Sequence, residues 1–134
     1  MKTLKFLTLL TLTFLVACTH TQKPDVSTHW TVSDSHQQIQ QAQALEAQGV
    51  IKDLRITGAN PEQLSATGPV NVLACLESAG KWLEKYKECE FMPVQSCKAL
   101  GGEFNSCSSA CRHNEDAMMC IQMCVPVCAF DIDK

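Results

Sequence analysis

The sequence lacks the short motifs by which several enzyme classes are recognised. It contains no Gly-x-Ser-x-Gly nucleophile elbow, no glycine-rich phosphate loop, no His-Glu-x-x-His zinc motif and no Cys-x-x-Cys redox motif. It also has no excess of basic charge, with 11 Lys and Arg against 14 Asp and Glu, which argues against binding to nucleic acid or anionic lipid through charge. The chain is therefore predicted not to be an enzyme, and no cofactor is expected.

A long apolar segment is absent as well. The N-terminal apolar run covers only residues 6–16, which is too short to cross a bilayer as a helix. It follows a basic start with Lys2 and Lys5, and polar residues follow it directly after Cys18. This arrangement predicts a signal peptide over residues 1–17 that is removed from the mature protein.

The end of this segment, Leu15-Val16-Ala17-Cys18, resembles the lipobox of bacterial lipoproteins. The resemblance implies that the chain is cut before Cys18, which is diacylated on its sulfur and acylated on its new amino group. Such an anchor would hold the protein permanently at a membrane. Thr19 stands where the family's inner-membrane retention signal typically has Asp, which implies the bacterial outer membrane. The alternative is an ordinary secretory signal with an incidental cysteine.

The cysteine count agrees with export and lipidation. Nine cysteines are an odd number, and an unpaired thiol in an exported protein needs an explanation. If Cys18 carries lipid, eight remain, a density typical of a small oxidised domain that is stapled by four disulfides. These eight all lie after residue 74: Cys75, Cys89, Cys97, Cys107, Cys111, Cys120, Cys124 and Cys128.

The mature chain divides into three parts by composition. Residues 18–35 are polar, contain Pro24 and show no sustained periodicity, which predicts a lipidated flexible tether. Residues 36–72 are predicted to form one helix as far as Gln48, ended by Gly49, and a short strand at 50–56. Residues 73–134 form the Cys-rich module, and whether 36–72 folds separately stays open. The expected fold class is small and disulfide-rich, mainly short helices and turns with little sheet.

A weak internal repeat indicates how the Cys-rich module is built. The segment that runs from Cys75 to Trp82 aligns with the segment from Cys97 to Phe104, and another cysteine follows each. In both copies a helical turn is predicted to run into a glycine with a left-handed φ, followed by an aromatic residue on an extended strand. The two aromatic side chains are expected in the core, with surface recognition as the alternative.

Two Cys-x3-Cys pairs follow, at 107 and 111 and at 120 and 124. Each is predicted to lie on a short helix, which places its two sulfurs one turn apart and too far from each other for a disulfide. Two antiparallel helices then favour nested bonds, Cys111 with Cys120 and Cys107 with Cys124. The remaining four pair most simply as Cys75 with Cys89 and Cys97 with Cys128, although eight cysteines allow 105 connectivities.

Residues 97–128, about a quarter of the chain, resemble the trypsin-inhibitor-like cysteine-rich domain. The match consists of Cys97-x9-Cys107-x3-Cys111 and Cys120-x3-Cys124-x3-Cys128, and four of the family's ten cysteines are missing. The resemblance implies pairs 97 with 128, 107 with 124 and 111 with 120. It also implies a protease-binding loop with its scissile bond at Gln122 and Met123. A helix at 120–124 would conflict with that role, because inhibitory loops are extended.

A soft-metal site is the second alternative. Four cysteines with His113, or Met118, Met119 and Met123 beside Cys120 and Cys124, would suit zinc or cuprous copper. Three expectations argue against a metal site. The thiols are expected to be paired in disulfides, the methionines are expected to fill a core, and the histidines are expected to be solvated. The favoured hypothesis is a lipid-anchored outer-membrane lipoprotein, without catalytic activity, that displays a rigid disulfide-stapled module for binding an envelope or extracellular protein.

Overall fold

The computed structural model describes residues 24–32, 35–59 and 61–130. The signal peptide, Cys18 and the start of the expected tether lie outside the described residues. The elements follow in the order β1 (Asp25–Val32), α1 (Ser35–Ala47), β2 (Lys52–Thr57), β3 (Glu62–Pro69), α2 (Val70–Glu77), β4 (Lys81–Leu83), a 3-10 turn (Glu84–Tyr86), β5 (Glu88–Glu90), α3 (Val94–Ala99), β6 (Glu103–Ser109) and β7 (Cys124–Ala129).

The first sheet has three antiparallel strands in the order β1-β3-β2. Its strands alternate between the core and solvent as half-buried strands do. In β1 the buried side chains are Trp30 and Val32, and in β3 they are Leu64 and Ala66. Trp30 lies directly opposite Leu64 in the antiparallel register, so the same face of both strands is apolar.

Helix α1 agrees with its prediction from the sequence. Its inward face carries Ala42 and Leu45, both buried, with Ile39 packed beside them. Gly49 follows the last turn with a φ of 72°, and its N–H donates to the carbonyl of Glu46 at 2.8 Å. The helix therefore ends at a glycine in a left-handed conformation, as the sequence predicted.

The second sheet has four antiparallel strands in the order β4-β5-β7-β6. A single row of residues crosses its inner face, because Trp82 pairs with Cys89, Cys89 with Cys128, and Cys128 with Phe104. Trp82 is buried and Phe104 packs against the core, so both aromatic residues have the core role expected of them.

One continuous apolar cluster joins the two sheets. It extends from Trp30 in the first strand to Phe130, which follows the last. The rings of Trp82 and Phe130 are 5.9 Å apart between centroids. Four cysteines in this cluster have no exposed surface, and they form the disulfides Cys75–Cys89 and Cys97–Cys128. The disulfides therefore take the place of apolar side chains at the centre of a small core.

Three expectations about the fold are wrong. The fold class of helices and turns with little sheet is contradicted by two antiparallel sheets that contain seven strands. Residues 25–32 of the expected tether form β1, where pairing with β3 supplies partners for the backbone. Neither Cys-x3-Cys segment is helical. Cys107 lies in β6, Cys124 begins β7, and Cys111 and Cys120 lie in the connection between these strands.

No helix in the described part of the chain is long and apolar enough to cross a membrane, and α1, with 13 residues, is the longest.

Candidate functional site

The second sheet is built from two copies of one unit, as the internal repeat suggested. Each copy consists of a helix, a tight turn, an edge strand and a central strand: α2, β4 and β5 in the first, α3, β6 and β7 in the second. Cys89 and Cys128 lie opposite each other in the two central antiparallel strands. The copies are thus related by an approximate two-fold rotation between β5 and β7.

The turns that connect helix and edge strand are equivalent in detail. The Gly80 N–H donates to the Cys75 carbonyl at 2.8 Å, and the Gly102 N–H donates to the Cys97 carbonyl at 2.9 Å. The left-handed residue is in each case the one before the aligned glycine: Ala79 with a φ of 58°, and Gly101 with a φ of 74°. The expected left-handed φ at the aligned glycines is therefore wrong.

The aligned glycines have a different role, which is to let the backbone approach a disulfide. A Cβ added at Gly102 would lie 2.4 Å from the Cys128 sulfur and 3.0 Å from the Cys97 sulfur. A Cβ added at Gly80 would lie 2.6 Å from the Cys89 sulfur. Each glycine thus packs on the disulfide of its own copy.

The two copies differ most in the connection between edge and central strand. In the first copy, residues 84–87 join β4 to β5 in a short turn. In the second copy, residues 110–123 join β6 to β7, and we call this segment the 110–123 loop. Because the first copy folds without such a loop, the sheet does not require it. Loops that the fold does not require often carry binding or catalytic residues.

Two disulfides brace the base of this loop. Cys107 of β6 is bonded to Cys124 at the start of β7, and Cys111 is bonded to Cys120 within the loop. Cys107, Cys120 and Cys124 are exposed, in contrast to the buried cysteines of the core. With the two core disulfides, these are the same four pairs at which the sequence argument arrived, although the two helices that it assumed are absent.

Ion pairs hold the start of the loop against β5. The Arg112 guanidinium donates from Nε (3.1 Å) and Nη2 (2.9 Å) to Glu88 Oε2, and from Nη2 to Glu90 Oε1 at 2.9 Å. The two carboxylates flank Cys89, whose side chain points to the core, so they project from the opposite face of the sheet. Burial by itself would lower the pKa of Arg112. The hydrogen bonds to Glu90 and Glu88, together with their negative charge, outweigh it and raise the pKa.

His113 completes this contact. Its ring stacks on Tyr86 with 3.4 Å between centroids, and its Nε2 lies 2.7 Å from Glu88 Oε2. The expectation that His113 is simply solvated is therefore wrong. Together with Arg112, this histidine fixes the loop to the short turn and strand of the first copy. We call these contacts, formed by Arg112, His113, Tyr86, Glu88 and Glu90, the latch.

Beyond the latch, the loop exposes apolar side chains at its tip and along the arm that leads back to β7. The exposed fraction is 98% for Met118, 91% for Met119, 67% for Ile121 and 58% for Met123. The expectation that these methionines fill a core is wrong. The misassigned helix is the reason, since an amphipathic helix would have turned one side inward. We call these four residues the apolar tip.

The residues that the sequence marked for protease inhibition lie in the same segment. Gln122 and Met123 belong to an exposed stretch without helix, between two cysteines that are each bonded to the other side of the loop. A shallow depression of about 440 Å³ lies between this stretch and the end of β6, lined by Ser108 and Ser109 among others. The segment is therefore not helical, but it is not fully extended either, because the Met123 N–H donates to the Ile121 carbonyl at 2.8 Å and closes a tight turn at Gln122.

The metal candidates are not assembled into a site. Cys120 and Cys124 are in disulfides, so they present no thiolate. Within residues 24–32, 35–59 and 61–130, no group of three or more His, Cys, Asp or Glu side chains could hold a metal ion.

Comparison with protein-family models, with curated proteins and with solved structures found no match to this chain.

Proposed function

We propose that this protein is an outer-membrane lipoprotein, anchored through Cys18, and that its apolar tip binds another envelope or extracellular protein without catalysis. The observation that carries the proposal is the apolar tip itself. Four large apolar side chains stand in water on a loop that the sheet does not need. Large exposed apolar side chains gathered on one loop in this way typically mark an interaction site.

The contacts that hold the loop in place support the same function. Two disulfides and the latch limit the conformations available to the loop before binding. Less conformational entropy then remains to be lost on association, which raises the affinity for a given contact area. Methionine suits such a surface because its flexible, polarisable side chain adapts to irregular apolar pockets.

A photo-crosslinking residue placed at position 119 would test this function on whole cells. We expect it to trap a discrete partner protein, whereas the same residue at Gln43, exposed on α1, should trap none. Met119→Asp should abolish trapping from a crosslinker at position 121 while leaving thermal unfolding unchanged, because the Met119 side chain makes little contact with the fold. Absence of a discrete product at position 119 across growth conditions would contradict the proposal.

The anchor is tested separately. Metabolic labelling with an alkyne fatty acid should mark the wild-type protein and not the Cys18→Ala variant, and globomycin should cause the unprocessed form to accumulate. Processing that is insensitive to globomycin would contradict lipidation and leave an ordinary secretory signal.

Serine-protease inhibition is a second candidate, favoured by the exposed, non-helical segment between Cys120 and Cys124. In this role the 120–124 segment would enter a protease cleft in an extended form, with the bond between Gln122 and Met123 at the catalytic serine. The soluble module should then inhibit at least one member of a protease panel, and Gln122→Arg should shift inhibition towards proteases that cleave after basic residues. No inhibition by either form would exclude this candidate.

A further inference from the structure

The methionines of this chain occupy two opposite environments. Met118 and Met119 are almost fully exposed and Met123 is more than half exposed, all in the apolar tip, whereas Met92 is 2% exposed in the core. Oxidation of methionine follows the access of the oxidant to the thioether sulfur. The apolar tip therefore concentrates the oxidisable methionines of the described chain on one surface.

The cysteines do not compete for the oxidant. All eight cysteines from Cys75 onward are already in disulfides. Free thiolates, when present, are the sulfur groups that sensors expose to peroxide. In this part of the chain the exposed sulfur available for oxidation consists of the thioethers of the apolar tip.

We propose that Met118, Met119 and Met123 form an oxidation site for two-electron, oxygen-donating oxidants such as hydrogen peroxide. The thioether sulfur attacks one peroxide oxygen, a sulfur–oxygen bond forms and the oxygen–oxygen bond breaks. The departing hydroxide takes the remaining proton and leaves as water. The sulfur is oxidised by two electrons to the sulfoxide, and the peroxide is reduced.

The chemical consequence is a change in the surface of the loop. A sulfoxide is a strong hydrogen-bond acceptor, so each oxidation replaces an apolar contact by a polar one. Ile121 would then be the one member of the apolar tip that stays apolar. The biological meaning rests on the proposed function, since a binding surface that becomes polar would release its partner, but the modification itself needs no partner.

The test treats the folded mature protein, with its disulfides intact, with graded hydrogen peroxide, followed by reduction, alkylation and tryptic mass mapping. Cleavage after Lys87, Lys98 and Arg112 separates Met92, in the 88–98 peptide, from the three loop methionines in the 113–134 peptide. Met118, Met119 and Met123 are expected to form sulfoxide at least about tenfold faster than Met92. A loop methionine that is oxidised only as slowly as Met92 would overturn the proposal.

A second measurement reports the surface change. Retention of the folded protein, in a Cys18→Ala form without lipid, on a phenyl column should fall after peroxide treatment. A variant with Met118→Leu, Met119→Leu and Met123→Leu, which keeps the tip apolar without thioethers, should retain its binding to the column. Unchanged retention of a Cys18→Ala form whose loop methionines are fully oxidised would also overturn the proposal. Neither measurement depends on the crosslinking result, so failure of the binding function would be recognised separately.

Discussion

The contrast between core and loop disulfides predicts that the four bonds are reduced in two stages. Cys75–Cys89 and Cys97–Cys128 have no exposed surface on any of their cysteines. Cys107–Cys124 and Cys111–Cys120 join residues that are exposed or half-buried. A reductant can reach the loop pairs in the native state, but it reaches the core pairs only when the core opens.

The size of the difference follows from the stability of the core. If opening the core costs about 5 kcal/mol, the lower end for a folded domain, the open form is present about once in several thousand molecules. The core disulfides should therefore be reduced roughly three orders of magnitude more slowly than an accessible pair, provided that the core reseals faster than the reductant attacks.

The assay is a time course in phosphine reductant, quenched by a mass-tagged alkylating reagent. We expect a plateau at four alkylated cysteines, which peptide mapping assigns to positions 107, 111, 120 and 124. In about 6 M guanidinium, which unfolds most domains, the plateau should disappear and all eight should react together. Simultaneous loss of all four bonds under native conditions would refute the reasoning, because it would mean that the loop and core are not energetically separate.

Three further predictions concern packing and the latch. Gly102→Ala should destabilise the protein by about 2–3 kcal/mol through overpacking on the Cys97–Cys128 disulfide, and thermal unfolding should show it. Gly49→Ala has open space around it and should cost only the left-handed conformation, about 1 kcal/mol, so equal losses at both sites would contradict the packing argument. Arg112→Ala should lower the free energy of unfolding by about 1–3 kcal/mol and speed proteolytic cleavage of the 110–123 loop. Arg112→Lys should give intermediate values of both. An unchanged cleavage rate in Arg112→Ala would contradict the role of the latch in holding the loop. Because the pKa of Arg112 is raised in the fold, its contribution is complete below its unfolded pKa and is lost only as the pH rises through the still higher folded pKa, far above neutral. The difference in unfolding free energy between wild type and Arg112→Ala should then be constant between about pH 7 and 9, and a difference that shrinks over this range would contradict it.

Local signals in the sequence were sufficient to predict helix α1 and the repeated unit of the second sheet. The helix has a thin apolar stripe and a glycine at its end, and the repeat brings a cysteine, a glycine and an aromatic residue together at fixed spacing. Strand β1 could have been found as well. Val26, Trp30 and Val32 fall on alternate positions, a period-two signal in a segment that was interpreted only by its polarity.

Strand β6 could not be predicted from local signals in the sequence. Most side chains of β6 are exposed or half-buried, with no alternating apolar pattern, and the strand exists through its backbone pairing with β7. The nested disulfide pairing was nevertheless predicted correctly, because any antiparallel hairpin leads to nested pairs. Cysteines before and after one reversal of the chain pair from the inside outward whether the arms are helices or strands. The apolar tip was missed for the related reason that methionines in a supposed helix were assigned to a core.

The start of β1 at Asp25 has a consequence for how far the protein can reach. Asp25 is only seven residues beyond Cys18, and a chain of that length spans at most about 25 Å even when fully stretched. A lipid on Cys18 would therefore keep the folded part close above the bilayer surface. If the apolar tip binds a partner as proposed, that partner would have to approach within this layer, and the encounter would be confined largely to two dimensions.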